Sequence, residues 1–215
     1  MDELELRREI IATALEMNAA RLNRGKSGNV SARIENGFLV TPTGLGYEVM
    51  QPEDIVAMSL DGTPRGARIP SSEWRFHRDI YAAQREVGAV VHAHAPFATS
   101  LSCLGRDIPA FHYMIAVAGG KDIRCAGYAT FGTQELSDQA LRALEGRRAC
   151  LLANHGLIAV GTSLAAALAL AVEVEALAEA YWRALQVGTP NLLSDAEMEI
   201  VLDKFRTYGQ RDMQE

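Results

Sequence analysis

The stretch Val90-Val91-His92-Ala93-His94-Ala95 decides the reading of this chain. In a β-strand, residues i and i+2 face the same side. His92 and His94 would then present two imidazoles together, in a run otherwise apolar enough to be buried. Burying two imidazoles without partners is costly, and imidazole is a good ligand for borderline-soft divalent metals, zinc above all. A third candidate imidazole, His155, ends the apolar run Leu151-Leu152-Ala153-Asn154. A carboxylate candidate, Glu73, lies in Pro70-Ser71-Ser72-Glu73-Trp74. Three histidines with an open position or a displaceable carboxylate make a catalytic rather than a structural site. Spacing alone leaves a metal site and a satisfied polar cluster both open. His77 and His112 show no comparable pairing and read as packing or surface residues.

The 215 residues suit one domain with a full hydrophobic core. The net charge of −6 argues against a nucleic-acid footprint, which needs a basic stripe. It leaves open a local basic pocket for a phosphate. Cys103, Cys125 and Cys150 are odd in number and widely spaced, with no CxxC, and so read as buried thiols in a reducing compartment. The acidic, helix-patterned N-terminus is no signal peptide, and the apolar run 164–172 is too short to span a bilayer. A cytoplasmic protein is expected, with no nucleic-acid or membrane partner.

Outward from the histidines, periodicity predicts a helix over 3–23 stopped by Gly25. A hairpin over 30–34 and 38–41 turns at Glu35-Asn36-Gly37. A helix capped by Ser71 or Ser72 runs to about 85, and a strand covers 87–94. Another helix spans 133–144. Strands 149–153 and 157–160 flank Asn154-His155-Gly156. A long Ala-rich helix covers 163–185, and a capping box at Ser194 and Glu197 starts a last helix to about 205. The mix predicts a single α/β domain, its sheet between helices. Gly28-Asn29, Thr43-Gly44 and Ser71-Ser72 lie at element ends, where glycine turns and a helix N-terminus can hold an anion. Each stretch alone is equally a turn. GxGxxG and GxxxxGK[ST] are absent, so dinucleotide and nucleotide binding lack support. A Schiff-base mechanism needs a desolvated lysine, and none of Lys26, Lys121 and Lys204 lies in an apolar strand.

With these residues assembled, the chain resembles the class II aldolase/adducin family over almost its whole length. The resemblance is carried by SGNVSAR (27–33), LVTPTG (39–44), IPSSEWRFH (69–77), VVHAHA (90–95), IPAFHYMIAVAGG (108–120), YATFGTQELS (128–137), NHGLIA (154–159) and KFRTYG (204–209). SSEWRFH and HYMIA…AGG are more specific than the histidine pattern, and HYMIA and YATFGTQELS lean towards the branch that acts on L-fuculose 1-phosphate. The resemblance implies a central, mainly antiparallel sheet flanked by helices, in one domain over 1–215 with a mobile tail from about 207. It implies zinc held by His92, His94, His155 and Glu73, with Glu73 turning acid/base once substrate displaces it. It implies a phosphate pocket of Gly28, Asn29, Thr43, Gly44, Ser71 and Ser72. Tyr113 is implied to reach a neighbouring subunit's site, and Tyr208 to lie on the tail. Family members are cyclic homotetramers with sites at subunit interfaces.

The activity implied is reversible cleavage of L-fuculose 1-phosphate to dihydroxyacetone phosphate and L-lactaldehyde through a zinc-stabilised enediolate. Related enzymes keep other phosphorylated sugars open as substrates, by 4-epimerisation of ribulose phosphate, cleavage of rhamnulose phosphate or dehydration of methylthioribulose phosphate. A non-catalytic, adducin-like interaction domain would lack the metal residues that are present here. Ala93, between the two histidines, should point to the opposite face of the sheet.

Overall fold

The computed structural model describes residues 2–207. Its centre is an eight-stranded sheet with the order β4-β3-β2-β1-β5-β8-β7-β6. The strands are β1 (Asn29–Ile34), β2 (Gly37–Val40), β3 (Val56–Met58), β4 (Pro64–Arg65), β5 (Ala89–Ala93), β6 (Cys125–Ala126), β7 (Ala149–Leu152) and β8 (Gly156–Gly161). All neighbours are antiparallel except β6 and β7. The α/β architecture with a mainly antiparallel sheet is therefore as expected.

Helices cover both faces because the central strands bury both. Along β5, Ala89, Val91 and Ala93 enter one core and Val90 the other. The first core packs under α1 (Glu3–Ala19), α3 (Pro96–Ser102), α5 (Leu164–Val187) and α6 (Asp195–Arg206). The second packs under α2 (Trp74–Ala83) and α4 (Gln134–Leu144). His92 points towards the second layer, where the Phe76 ring meets it edge-on at 5.5 Å. Ala93 lies in the opposite core, as its alternation requires.

Three local expectations need correction. The first helix ends at Ala19 rather than near residue 23. Arg21 takes a left-handed φ of 62°, and the Arg21 and Leu22 N–H groups donate back to Asn18 and Met17 carbonyls at 3.0 and 2.9 Å. Leu22 and Met17 are both buried, so a hydrophobic contact closes the helix before Gly25 is reached. Neither Ser71 nor Ser72 caps α2; Glu73 occupies the cap position, and Ser71 Oγ accepts the Glu73 N–H at 3.3 Å. The cause lies across the chain. Ser71 N–H donates to Thr41 O and Thr43 N–H to Ile69 O, around a Pro42–Pro70 bridge, which holds 69–71 extended. The 87–94 strand is shorter, ending at Ala93. There Asn23 takes over from the ladder, its Oδ1 accepting the His94 N–H at 2.7 Å.

The hairpin joining β7 to β8 turns through Ala153-Asn154-His155, with Asn154 at φ 57°. Asparagine tolerates this left-handed conformation better than most residues. Its exit, Gly156, passes so close to β5 that an added Cβ would meet the Ala93 carbonyl at 2.3 Å. Gly156→Ala is therefore expected to lower the unfolding free energy by about 1–3 kcal/mol. Urea unfolding checks this, and an unchanged midpoint would show that the two strands can part without cost.

Candidate metal site and anion cleft

Three central strands assemble the site. Register pairs Asn29 of β1 with His92 of β5, and His92 with Ile158 of β8. His155, in the turn before β8, comes back beside them. The rings of His92, His94 and His155 lie 4.7–5.0 Å apart, centre to centre, and are tilted 68–74° to one another. One nitrogen from each falls within 4.8 Å of the others. The alternation of His92 and His94 thus does bring two imidazoles together, and the distant His155 joins them.

Glu73 reaches the same point from the head of α2. Its Oε2 is 3.2 Å from His92 Nε2, and its Oε1 is 3.2 Å from His155 Nε2. The donor set fits a divalent cation on three counts. His92 Nε2 and His94 Nε2 sit 3.2 Å apart, where at most one can donate to the other. Two ligands each about 2.0 Å from a tetrahedral zinc would be separated by roughly the same distance. Glu73 Oε1 is buried and makes no hydrogen bond. His92 Nδ1–H donates to the Leu157 carbonyl at 2.9 Å, which leaves the Nε2 lone pair aimed inward.

Charges follow the same geometry. Burial would raise the Glu73 carboxyl, but His92, His155 and the Asn29 amide outweigh it and hold it down to about 2. Burial would lower His92, yet the Glu73 carboxylate moves it upward. His94 and His155 are each lowered to about 4, by burial and then by His92. Neutral imidazoles and an ionised carboxylate are the protonation states that bind metal.

Behind Glu73 runs a line of hydrogen bonds into the core. Asn29 Nδ2 donates to Glu73 Oε2 at 3.0 Å. Asn29 Oδ1 can only accept, so His77 Nε2–H donates to it, at 2.5 Å. His77 Nδ1 then accepts from Ser31 Oγ at 2.7 Å, and Ser31 lies 2.8 Å from the Tyr81 hydroxyl. His77, read from its spacing as a packing residue, orients the amide that holds Glu73. One N–H of the Asn29 side chain is thus engaged in holding Glu73. Asn23 is a second residue that spacing did not single out. It also explains the glycine at 28, where a Cβ would fall 2.4 Å from Asn23 Nδ2 and 2.5 Å from the His92 carbonyl.

A cleft of about 350 Å³ opens above the imidazoles. Gly28, Asn29, Thr43, Gly44, Ser71 and Ser72 all border it, together with Glu73, His94 and His155. The three turn-like stretches therefore converge on one cleft. Lys26, Tyr128, Phe131 and Asn154 complete the wall. Tyr128 and Phe131 belong to the loop between β6 and α4 and are largely exposed. Tyr113 is not at this cleft. It stands half exposed on a 3₁₀ turn, Tyr113–Ala118, against His112 and Phe205. Tyr208 and the tail beyond 207 lie outside the described residues. A larger groove of about 950 Å³, between the 3₁₀ turn, α4 and α5, is bordered by none of the candidate residues. Among the described residues, no helix is long and apolar enough to cross a membrane.

This fold and this histidine–carboxylate centre are those of a metal-dependent lyase scaffold, and residues 8–182 match the Class II Aldolase and Adducin N-terminal domain. The chain belongs to that family and is a class II aldolase. Among its relatives, the 5-methylthioribulose-1-phosphate/5-deoxyribulose-1-phosphate aldolase of Rhodospirillum rubrum is 58% identical over 96% of this chain and 93% of that protein. The L-fuculose phosphate aldolase of Escherichia coli is 50% identical over 98% of this chain and 99% of its own length. A solved structure titled L-fuculose 1-phosphate aldolase superposes with a TM-score of 0.91 at 41% identity, covering 94% of this chain and 96% of that one.

His77 supplies a pH signature. Buried, it is depressed to about 3, against about 6.5 in an unfolded chain. Between those values the unfolded state takes up a proton that the folded state refuses. Stability therefore falls as pH drops below about 6.5, by up to about 1.4 kcal/mol per pH unit from this residue. Urea unfolding of the metal-free protein between about pH 4.5 and 7 is expected to show His77→Gln with an acid limb shallower by that amount; an identical limb would mean that His77 is protonated in the fold.

Proposed function

We propose that the protein is a zinc-dependent aldolase that cleaves a deoxyketose 1-phosphate between C3 and C4, releasing dihydroxyacetone phosphate and a short aldehyde. The observation carrying this reading is the convergence of three imidazoles and one carboxylate at the floor of a cleft walled by hydroxyls and glycine turns. His92, His94 and His155 would hold the metal, with Glu73 as a displaceable fourth ligand. Bound there, zinc supplies Lewis-acid polarisation of the sugar oxygens next to the bond that breaks.

The remaining chemistry falls to the chain's own groups. Gly28, Asn29, Thr43, Gly44, Ser71 and Ser72 form the wall that anchors the phosphate and orients the ketose, which lowers the entropic part of the barrier. Glu73, ionised and held by Asn29, takes the C3 proton of dihydroxyacetone phosphate in the condensation direction and returns it on cleavage. Tyr113 donates to the aldehyde oxygen during condensation, its phenol being a donor at neutral pH. Its exposure away from its own cleft supports a role in the cleft of a neighbouring copy, within a homotetramer whose sites lie between subunits. Tyr208, which lies outside the described residues, is proposed as a second tyrosine acting in catalysis.

The aldehyde end of the substrate faces Tyr128 and Phe131, whose rings favour an apolar group. This supports 5-methylthioribulose 1-phosphate and 5-deoxyribulose 1-phosphate as first substrates, in line with the Rhodospirillum relative. L-fuculose 1-phosphate is the second reading, favoured by the relatives at 50% identity. Both leave the same dihydroxyacetone phosphate half.

Release of dihydroxyacetone phosphate from the three sugar phosphates, with and without a chelator, tests the reading. Fast, chelator-sensitive release from the 5-substituted pentuloses is expected; preference for the fuculose substrate would move the assignment to the second reading, and no release from any of them would overturn it. Glu73→Gln is expected to lower kcat by about 10²–10⁴-fold. Elemental analysis of purified His92→Ala should find the metal gone, and full occupancy would show the ligand set to be wrong.

A further inference from the structure

We infer that Lys26 is the cationic contact of the anion cleft and sets how tightly a phosphate is held, an inference that rests on the sugar-phosphate reading above. Lys26 lies in the loop between α1 and β1, flanked by Gly25 and Gly28, both at positive φ. Its Nζ donates to the Gly44 carbonyl at 3.0 Å, which ties the loop leading into Gly28-Asn29 to the Thr43-Gly44 stretch. That single contact fixes the ammonium at the rim. An ammonium has three N–H donors, so two remain to face an anion. Among the described residues, no carboxylate lies within ion-pair distance of it.

The rest of the wall explains why one cation matters. The other groups around the cleft are hydroxyls, glycines, aromatic rings, a proline, an alanine, the two amides of Asn29 and Asn154, two imidazoles and the Glu73 carboxylate. Among the described residues, no Lys or Arg side chain other than Lys26 borders it. A sugar phosphate dianion entering there would meet neutral donors near a carboxylate. Lys26 supplies the one opposing side-chain charge, at the end of the cleft bounded by Gly28 and Gly44. Because that end is open to solvent, the attraction should be screened by salt, over a Debye length of about 8 Å at physiological ionic strength. This role differs from the nucleophilic lysine of a Schiff-base aldolase. Lys26 would form no bond and would act on binding rather than on bond cleavage.

The test uses inorganic phosphate as probe, on the metal-loaded full chain, with its dissociation constant measured by ³¹P line broadening. Lys26→Met is expected to weaken phosphate binding roughly ten-fold, as loss of a charge-assisted hydrogen bond would. It should also flatten the decline of affinity between about 50 and 300 mM salt. Lys26→Arg should recover most of both. A purely structural tether to Gly44 would leave the salt dependence of the variant parallel to that of the parent. If the parent binds phosphate and Lys26→Met binds it equally well with the same salt slope, the role of Lys26 is refuted and the cleft reading stands. If the parent itself binds no phosphate, the anion cleft and the role of Lys26 fall together.

Discussion

A carboxylate buried among imidazoles is costly unless each neighbouring group is held in one orientation, and the protein is organised around that condition at Glu73. β1 brings Asn29 under the carboxylate, β5 brings His92 beside it, and the turn into β8 brings His155. The three strands are neighbours at the middle of the sheet, where both faces are covered and backbone motion is least free. Asn29 is fixed in turn by His77, and His77 by Ser31, so each group's donors are committed before the next one's acceptors are reached. A polar line of this kind favours one arrangement of its members over all others.

The local patterns carried much of this. Alternation at 90–95 gave the paired imidazoles, and Asn36-Gly37 between two β-like runs gave the hairpin. Ala-rich periodicity gave α5 almost to the residue. What escaped has a common cause, which is that the deciding partner lies far along the chain. Asn23 matters because it meets His94, 71 residues away, and His77 because it meets Asn29, 48 residues away. Ser71 and Ser72 are good caps in isolation, but pairing of 69–71 with residues 41–43 holds Ser71 extended and leaves the cap position to Glu73. Arg21 stops α1 because Leu22 has a buried site to enter. Lys26 has the local pattern of any loop lysine, and its partner Gly44 lies 18 residues away.

The relatives divide by sugar while sharing an aldol cleavage, and the cleft is divided in the same way. On the reading proposed above, its hydroxyl- and glycine-lined side and its imidazoles would serve the dihydroxyacetone phosphate half, common to each candidate substrate. The loop carrying Tyr128 and Phe131 would then meet the part that differs. This separates two questions for the chain, one about its chemistry and one about its sugar. On that reading the first turns on groups of the central strands and α2, the second on the loop after β6.

That loop, carrying Tyr128 and Phe131, has a consequence for how such a protein can change. It joins the terminal strand of the sheet to α4 and supplies none of the four converging ligand groups. Substitutions there can remodel the mouth without disturbing the strands that aim the imidazoles. The fold behaves as a fixed reaction centre with an exchangeable doorway.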